Sequence, residues 1–299
     1  MSAEPQPQFK APIVNTSAIT EIADGVWVIP DSDHTPLVPN VGIIVGSRAT
    51  LVIDTGFGPN NARAILERAR HLSGARRIFL THTHFHPEHA FGANAVAGEV
   101  TTVYNETQWK ELQEKGDIVL RMFKDQIPAV AKMLDGVEFI RPDLLYAGAL
   151  KLDLGEERIV ELLEFGGAHS RGDQGIVIRG STSVLFVGDL VEERHFGVLA
   201  DNESHVIPWI DRLERFEWLE PEIVVPGHGD IGGRQLIADY RACFELAKRR
   251  VGQIRAAGGL SEAEIVDRVN TELLDLHPDW QGRNWARKVV ADLTWPARA

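Results

Sequence analysis

Four histidines within eight consecutive positions constrain this chain more than any other feature. The run reads Leu80-Thr81-His82-Thr83-His84-Phe85-His86-Pro87-Glu88-His89-Ala90-Phe91-Gly92. Imidazoles at i and i+2 of an extended segment project to one side, so two of them can hold one cation. An acid–histidine pair on the next turn can then serve a second. Two registers compete. If His82 and His84 lead, the position for the acid falls on His86. If His84 and His86 lead, it falls on Glu88 with His89 beside it, and the pattern His-x-His-x-Glu-His is chemically complete. Pro87 supports this register by holding His86 extended before a turn. His82 is then expected to support the site from behind.

Three further segments carry ligand-type residues, each just after an apolar strand. His169 lies in Gly166-Gly167-Ala168-His169-Ser170-Arg171-Gly172-Asp173, Asp189 closes Val184-Leu185-Phe186-Val187-Gly188-Asp189, and His228 lies in Ile223-Val224-Val225-Pro226-Gly227-His228-Gly229. Strand-end loops along one edge are where open α/β sheets gather ligand groups. Asp54 ends another apolar run before Thr55-Gly56, where a plain turn-capping role is open to it. Asp173 is expected to brace the loop carrying His169. A histidine outside such a pattern usually sits on the surface or satisfied in the core, as expected for His34, His71, His195, His205 and His277. Trp209, Trp218, Trp280, Trp285 and Trp295 read as core or lid packing.

The chain of 299 residues suits one large α/β domain, alone or with a helical appendage. Gly25–Ile29, Val41–Val45, Thr50–Ile53 and Arg77–Leu80 read as strands, with a helix over Asn60–Leu72. Leu150–Leu154, Arg158–Phe165, Gly175–Ile178, Val184–Val187 and Ile223–Val225 form a second group of strands. Leu213–Leu219 reads as a helix end. This order implies two sheets sandwiched by helices. A flexible tail is expected over 1–15, the catalytic domain over 16–230 with a helical cover at 106–134, and a helical extension over 231–299. Ser261 and Glu264 match a capping box that starts a helix at Glu262.

Charge narrows the partners. Acidic residues outnumber basic ones 43 to 31, for a net charge of −12, with no dense basic run. Nucleic acids and anionic membranes are therefore poor partners, and a small-molecule substrate is expected. The single cysteine, Cys243, excludes an intrachain disulfide and reads as a core residue. Met1–Lys10 does not read as a signal peptide, and no run approaches the roughly 20 apolar residues of a membrane span. A cytoplasmic location fits.

His84-x-His86-x-Glu88-His89, then His169, Asp189 and Gly227-His228, closely resemble the metallo-β-lactamase superfamily. Asn40 to Gly56 shares in that likeness. His-Pro-Glu-His followed by Phe-Gly is also similar to the zinc hydrolases of quinoprotein relay systems. The resemblance implies a four-layer αββα sandwich. It places one metal on His84, His86 and His169, a second on Glu88, His89 and His228, and Asp189 between them, with Glu88 and Asp189 the catalytic carboxylates and Asp54 behind a histidine. Two Zn2+ ions are expected, and manganese or iron would also suit these ligands. The implied activity is a metal-dependent hydrolase in which a shared hydroxide attacks an ester, lactone, thioester or amide of a small molecule. The alternatives on this fold are a β-lactamase-like side activity, a phosphodiesterase and a mononuclear-iron persulfide dioxygenase. The bridging aspartate favours the esterase, lactonase, glyoxalase and nuclease branches over true β-lactamases. Glu88 stands where the family usually has Asp, and its extra methylene shifts the carboxylate.

Overall fold

The computed structural model describes residues 10–294 except 32, 75, 157 and 201. Residues 1–9 of the expected tail and Trp295 lie outside that set. The rest of the tail is anchored rather than loose. Val14 is buried and its N–H donates to Asn61 Oδ1, while Asn61 Nδ2 donates to the Pro12 carbonyl.

Alternating apolar positions build two sheets. The first runs in chain order through β1 (Thr20–Ala23), β2 (Val26–Ile29), β3 (Val41–Val45), β4 (Ala49–Ile53), β5 (Arg77–Thr81), β6 (Thr101–Asn105) and β7 (Leu144–Tyr146). It is antiparallel up to β4 and parallel beyond. The second has the order β12 (Ile223–Pro226), β11 (Val184–Gly188), β10 (Gln174–Ile178), β9 (Ile159–Glu164), β8 (Ala149–Asp153), with only β11 and β12 parallel.

The period of two assigns each strand residue to a layer. Ile44, Leu51, Ile53, Ile176, Val184 and Phe186 interleave in the core between the sheets. Their neighbours Ile43, Val52 and Leu80 face outward onto α1 (Pro59–Ser73) and the region of α3 (Glu106–Gln126). On the second sheet, Val177, Leu185 and Val187 face α5 (Val206–Glu217), α6 (Gln235–Ala257), α7 (Glu262–Leu276) and α8 (Arg283–Thr294). The result is an αββα sandwich whose helical C-terminal region shares the second sheet's outer core. Ser261 and Glu264 close the expected capping box at α7.

One expectation about packing changes. Trp218, expected to pack, is 74% exposed, because it caps the C-terminus of α5 beyond that helix's buried face. The helical cover expected over 106–134 is present but interrupted at Pro128, where α3 gives way to α4 (Pro128–Ala131) and a 3-10 turn to Leu134. No helix among the described residues is long and apolar enough to cross a membrane.

Trp209 is the largest fully buried side chain; its Nε1 donates to the Leu190 carbonyl and its ring meets Phe244 and His169. Trp209→Ala is expected to lower unfolding stability by about 3–5 kcal/mol through the cavity it leaves. A urea midpoint within experimental error of wild type would refute this.

Candidate metal centre

The histidine run lies where β5 ends. His86 is extended, Pro87 opens α2 (Pro87–Ala90), and that single turn carries Glu88 and His89. His169 sits in the β9–β10 loop, and Asp189 and His228 directly follow β11 and β12. All seven candidate ligands meet at this one edge. Two groups form: His84, His86, His169 and Asp189, and Glu88, His89, Asp189 and His228, each with ligand atoms within 4.8 Å of one another.

The loops are held from behind. Asp54 Oδ1 accepts from the Thr83 N–H at 2.6 Å, and Oδ2 accepts from His89 Nδ1 at 2.9 Å. Asp54 thus both ties the turn and orients a histidine. His169 Nδ1 donates to the Val198 carbonyl and His228 Nδ1 to the Val38 carbonyl, both at 2.9 Å. These bonds direct the other nitrogen of each ring into the site as a lone pair. Asp173 braces the His169 loop by accepting from the Ser170 N–H and hydroxyl. Glu111 of α3 accepts from the Arg171 and Gly172 N–H groups. Asn40 Nδ2 donates to the Pro226 and Gly229 carbonyls and so clamps the loop of His228 to the first sheet. Gly227 is required there, since a Cβ would collide with Asp189 Oδ1.

The donor set fits metal ions. His84 Nε2, His86 Nδ1 and His169 Nε2 form a triangle with edges of 3.0, 3.0 and 3.2 Å. Lone pairs this close repel unless a cation lies among them. A tetrahedral zinc with Zn–N of about 2.0–2.1 Å spaces its nitrogens about 3.3 Å apart, close to this triangle. Asp189 divides its oxygens. Oδ2 lies 3.7 Å from both His84 Nε2 and His169 Nε2, whereas Oδ1 lies 3.3 Å from His89 Nε2 and 3.6 Å from His228 Nε2. Glu88 Oε1 is 4.0 Å from His228 Nε2, while its buried Oε2 has no hydrogen-bond partner among the described residues.

Electrostatics follow burial. Burial alone would raise Asp189, but His89, His228 and His84 outweigh it and hold the carboxyl well below its usual range. His89 is held well above the ordinary histidine value: burial works against this, and Asp189 and Asp54 prevail. Burial drives His84 down and Glu88 up.

His82 belongs to neither group. Its fully buried ring packs on Tyr104 at 4.1 Å, and neither ring nitrogen has a hydrogen-bond partner among the described residues. Its carbonyl accepts from Gln108 and Gln174. Of the histidines set aside, His34 and His195 line the cavity in front of the cluster. Glu192 lines it too and was not singled out by sequence. It is buried, Oε2 lies 3.3 Å from His195 Nδ1, and burial, then Asp189 and Glu88, raise its carboxyl well above the usual value. Its one sequence signal was an acid pair, Glu192-Glu193, just past Asp189.

Fold and cluster together define a metallo-β-lactamase-fold hydrolase with a metal-binding cluster. The metallo-beta-lactamase superfamily matches residues 34–228, well over half of the chain, and the chain belongs to that superfamily. A metallo-beta-lactamase from Pontibacter korlensis is similar in structure at 20% identity and TM-score 0.60, covering 75% of this chain and 96% of that one. The DIM-1 metallo-beta-lactamase matches at 16% identity and TM-score 0.61, over 78% of this chain and 97% of that one. The sec-alkylsulfatase Pisa1 from Pseudomonas sp. matches at 17% identity and TM-score 0.70, over 91% of this chain but 49% of that one.

Two predictions follow from this geometry. His86→Ala should lose bound metal, whereas His82→Ala should keep it, as measured by elemental analysis of both variants after dialysis. The reverse pattern would shift the register by two residues. The second concerns pH. Burial, with His89 behind it, lowers His82 from 6.5 to about 3. The unfolded chain protonates His82 near pH 6.5, while the folded chain resists until about pH 3. This contribution to stability is therefore complete above pH 6.5 and drains as pH falls through that window. Between pH 7 and 5 the loss is about 2 kcal/mol. His82→Phe should flatten the wild-type decline in urea midpoint over that range, and parallel profiles would contradict it.

Proposed function

We propose that this chain is a dinuclear zinc hydrolase that cleaves an ester, lactone, thioester or amide bond in a small molecule. The observation that carries the reading is Asp189, whose two oxygens face two separate groups of ligand atoms. His84, His86 and His169 would hold one ion, Glu88, His89 and His228 the other, and Asp189 both. When bound, such a pair lowers the pKa of a shared water to about 7 and polarises the scissile carbonyl.

The protein's own groups do the rest. Asp54 fixes the ring of His89, and the Val198 and Val38 carbonyls fix His169 and His228, so these three rings need no reorganisation during the reaction. Phe85, Val119, Phe123 and Val198 line the cavity at the cluster and limit access of bulk water. Cys243 is not a competing nucleophile, because burial pushes its thiol up to about 12.

A panel of chromogenic esters, lactones, thioesters and amides, with a β-lactam, a phosphodiester and a sec-alkyl sulfate as contrasts, tests the reaction class. The sulfate arm is included because the likeness to the sec-alkylsulfatase covers most of this chain. Turnover confined to one of the contrasts would overturn the reading. Asp189→Asn should lower turnover by more than about a hundredfold and reduce bound metal from two ions towards one, while Asp54→Asn should cost about 10–100-fold, the range for groups that orient ligands. Wild-type turnover in Asp189→Asn would remove the bridge from the mechanism.

A further inference from the structure

In front of the cluster opens a cavity of about 980 Å³, at the upper end of the roughly 300–1,000 Å³ range of small-molecule sites. One wall is a stripe of α3: Ile118, Val119, Met122 and Phe123, which share a helix face at i, i+1, i+4 and i+5 spacing. Ile118 is 61% and Met122 41% exposed, although both are large and apolar. Leu37, Phe85, Val198 and Trp285 continue the apolar surface around them, and Phe85 joins it to His86, the ring centroids 4.8 Å apart.

Acidic groups outnumber basic ones on the same walls. Besides Glu88 and Asp189 in the cluster, Asp31, Glu192, Glu193 and Glu203 line the cavity. Among the described lining residues Lys115 is the sole lysine or arginine. Its ammonium is engaged by Glu111 and Glu203 and lies over the Phe85 ring. Nothing there matches the bidentate or clustered cations that grip a carboxylate, phosphate or sulfate.

Resting on the hydrolase reading above, we propose that the substrate is a lipophilic molecule without an anionic group, its scissile carbonyl at the cluster and an apolar chain of several carbons lying along the Ile118–Met122 stripe. Charge complementarity sets the head and tail. The cluster with its ions attracts the carbonyl oxygen, while the described walls offer no lysine or arginine beyond the ion-paired Lys115 to hold an anionic substituent. Hydrolysis adds water across the acyl bond: hydroxyl ends on the acyl carbon and a proton on the leaving group. The acid formed then ionises, and the same walls favour its departure.

The metal-replete full chain would be assayed on p-nitrophenyl esters with acyl chains of two to ten carbons. The expected result is a kcat/KM that rises about fourfold per methylene while the chain is being buried. An eight-carbon ester ending in a carboxylate should fall at least about tenfold below its methyl-ended counterpart, and one ending in trimethylammonium should fall less. Calorimetric titration gives a second readout: N-octylacetamide, which is neutral, should bind at least about tenfold more tightly than N-butylacetamide. Ile118→Asn with Met122→Gln, both at exposed positions, should flatten the chain-length slope and weaken N-octylacetamide binding. If esters are cleaved without chain-length dependence, or the carboxylate-ended ester is preferred, this proposal fails and the hydrolase reading stands. If no acyl substrate is cleaved at any length, the hydrolase reading itself fails. A dimer that these substitutions dissociate would mark the stripe as an interface and also overturn the proposal.

Discussion

The structure is organised around one electrostatic problem, the burial of Asp189 among imidazoles at the edge of two sheets. An isolated carboxylate in such a place would be strongly disfavoured. His84, His89, His169 and His228 surround it, and each of the four rings is constrained from behind. Thr83 Oγ1 lies 3.1 Å from His84 Nδ1, Asp54 accepts a hydrogen bond from His89 Nδ1, and backbone carbonyls accept those from His169 and His228. The rings are held from rotating away from one another, so their free nitrogens and Asp189 converge in two groups of ligand-type atoms.

That convergence explains several features remote from the chemistry. The buried amide of Asn40 joins the first sheet to the loop of His228, and Glu111 and Gln108 of α3 take the backbone groups of the loops bearing His169 and His82. These are polar groups in the core, each worth keeping only when its hydrogen bonds are complete. Helix α3 therefore serves twice: its N-terminal half secures the site, and its next turns supply the apolar wall of the cavity.

Much of this was legible in the sequence, for physical reasons particular to each residue. His84, His86, Glu88 and His89 are local in the chain, so spacing alone shows that they can meet. The strands β3, β4, β10 and β11 read as short, nearly continuous apolar runs because both their faces are buried, each in a different layer. By contrast, β1, β6 and β7 lack that signal: β6 reads Thr-Thr-Val-Tyr-Asn, and β7 is three residues long. Their pairing comes from the neighbouring strands rather than from their own pattern. Residues 11–15, read as tail, are ordered by Asn61, 46 positions or more away from them.

The sequence by itself determined the ligand types, their order along the chain and the loops that carry them, because those depend on local chemistry and on the period of the strands. Only the tertiary structure decided how the oxygens of Asp189 divide between two groups, that His82 turns away to pack on Tyr104, and that Glu192, His34 and His195 face the cavity. It also decided that an apolar stripe of α3 stands uncovered beside a wall of carboxylates. Those arrangements depend on distances between residues far apart in the chain, and such distances are set by how two sheets and their helices pack, which no single segment encodes.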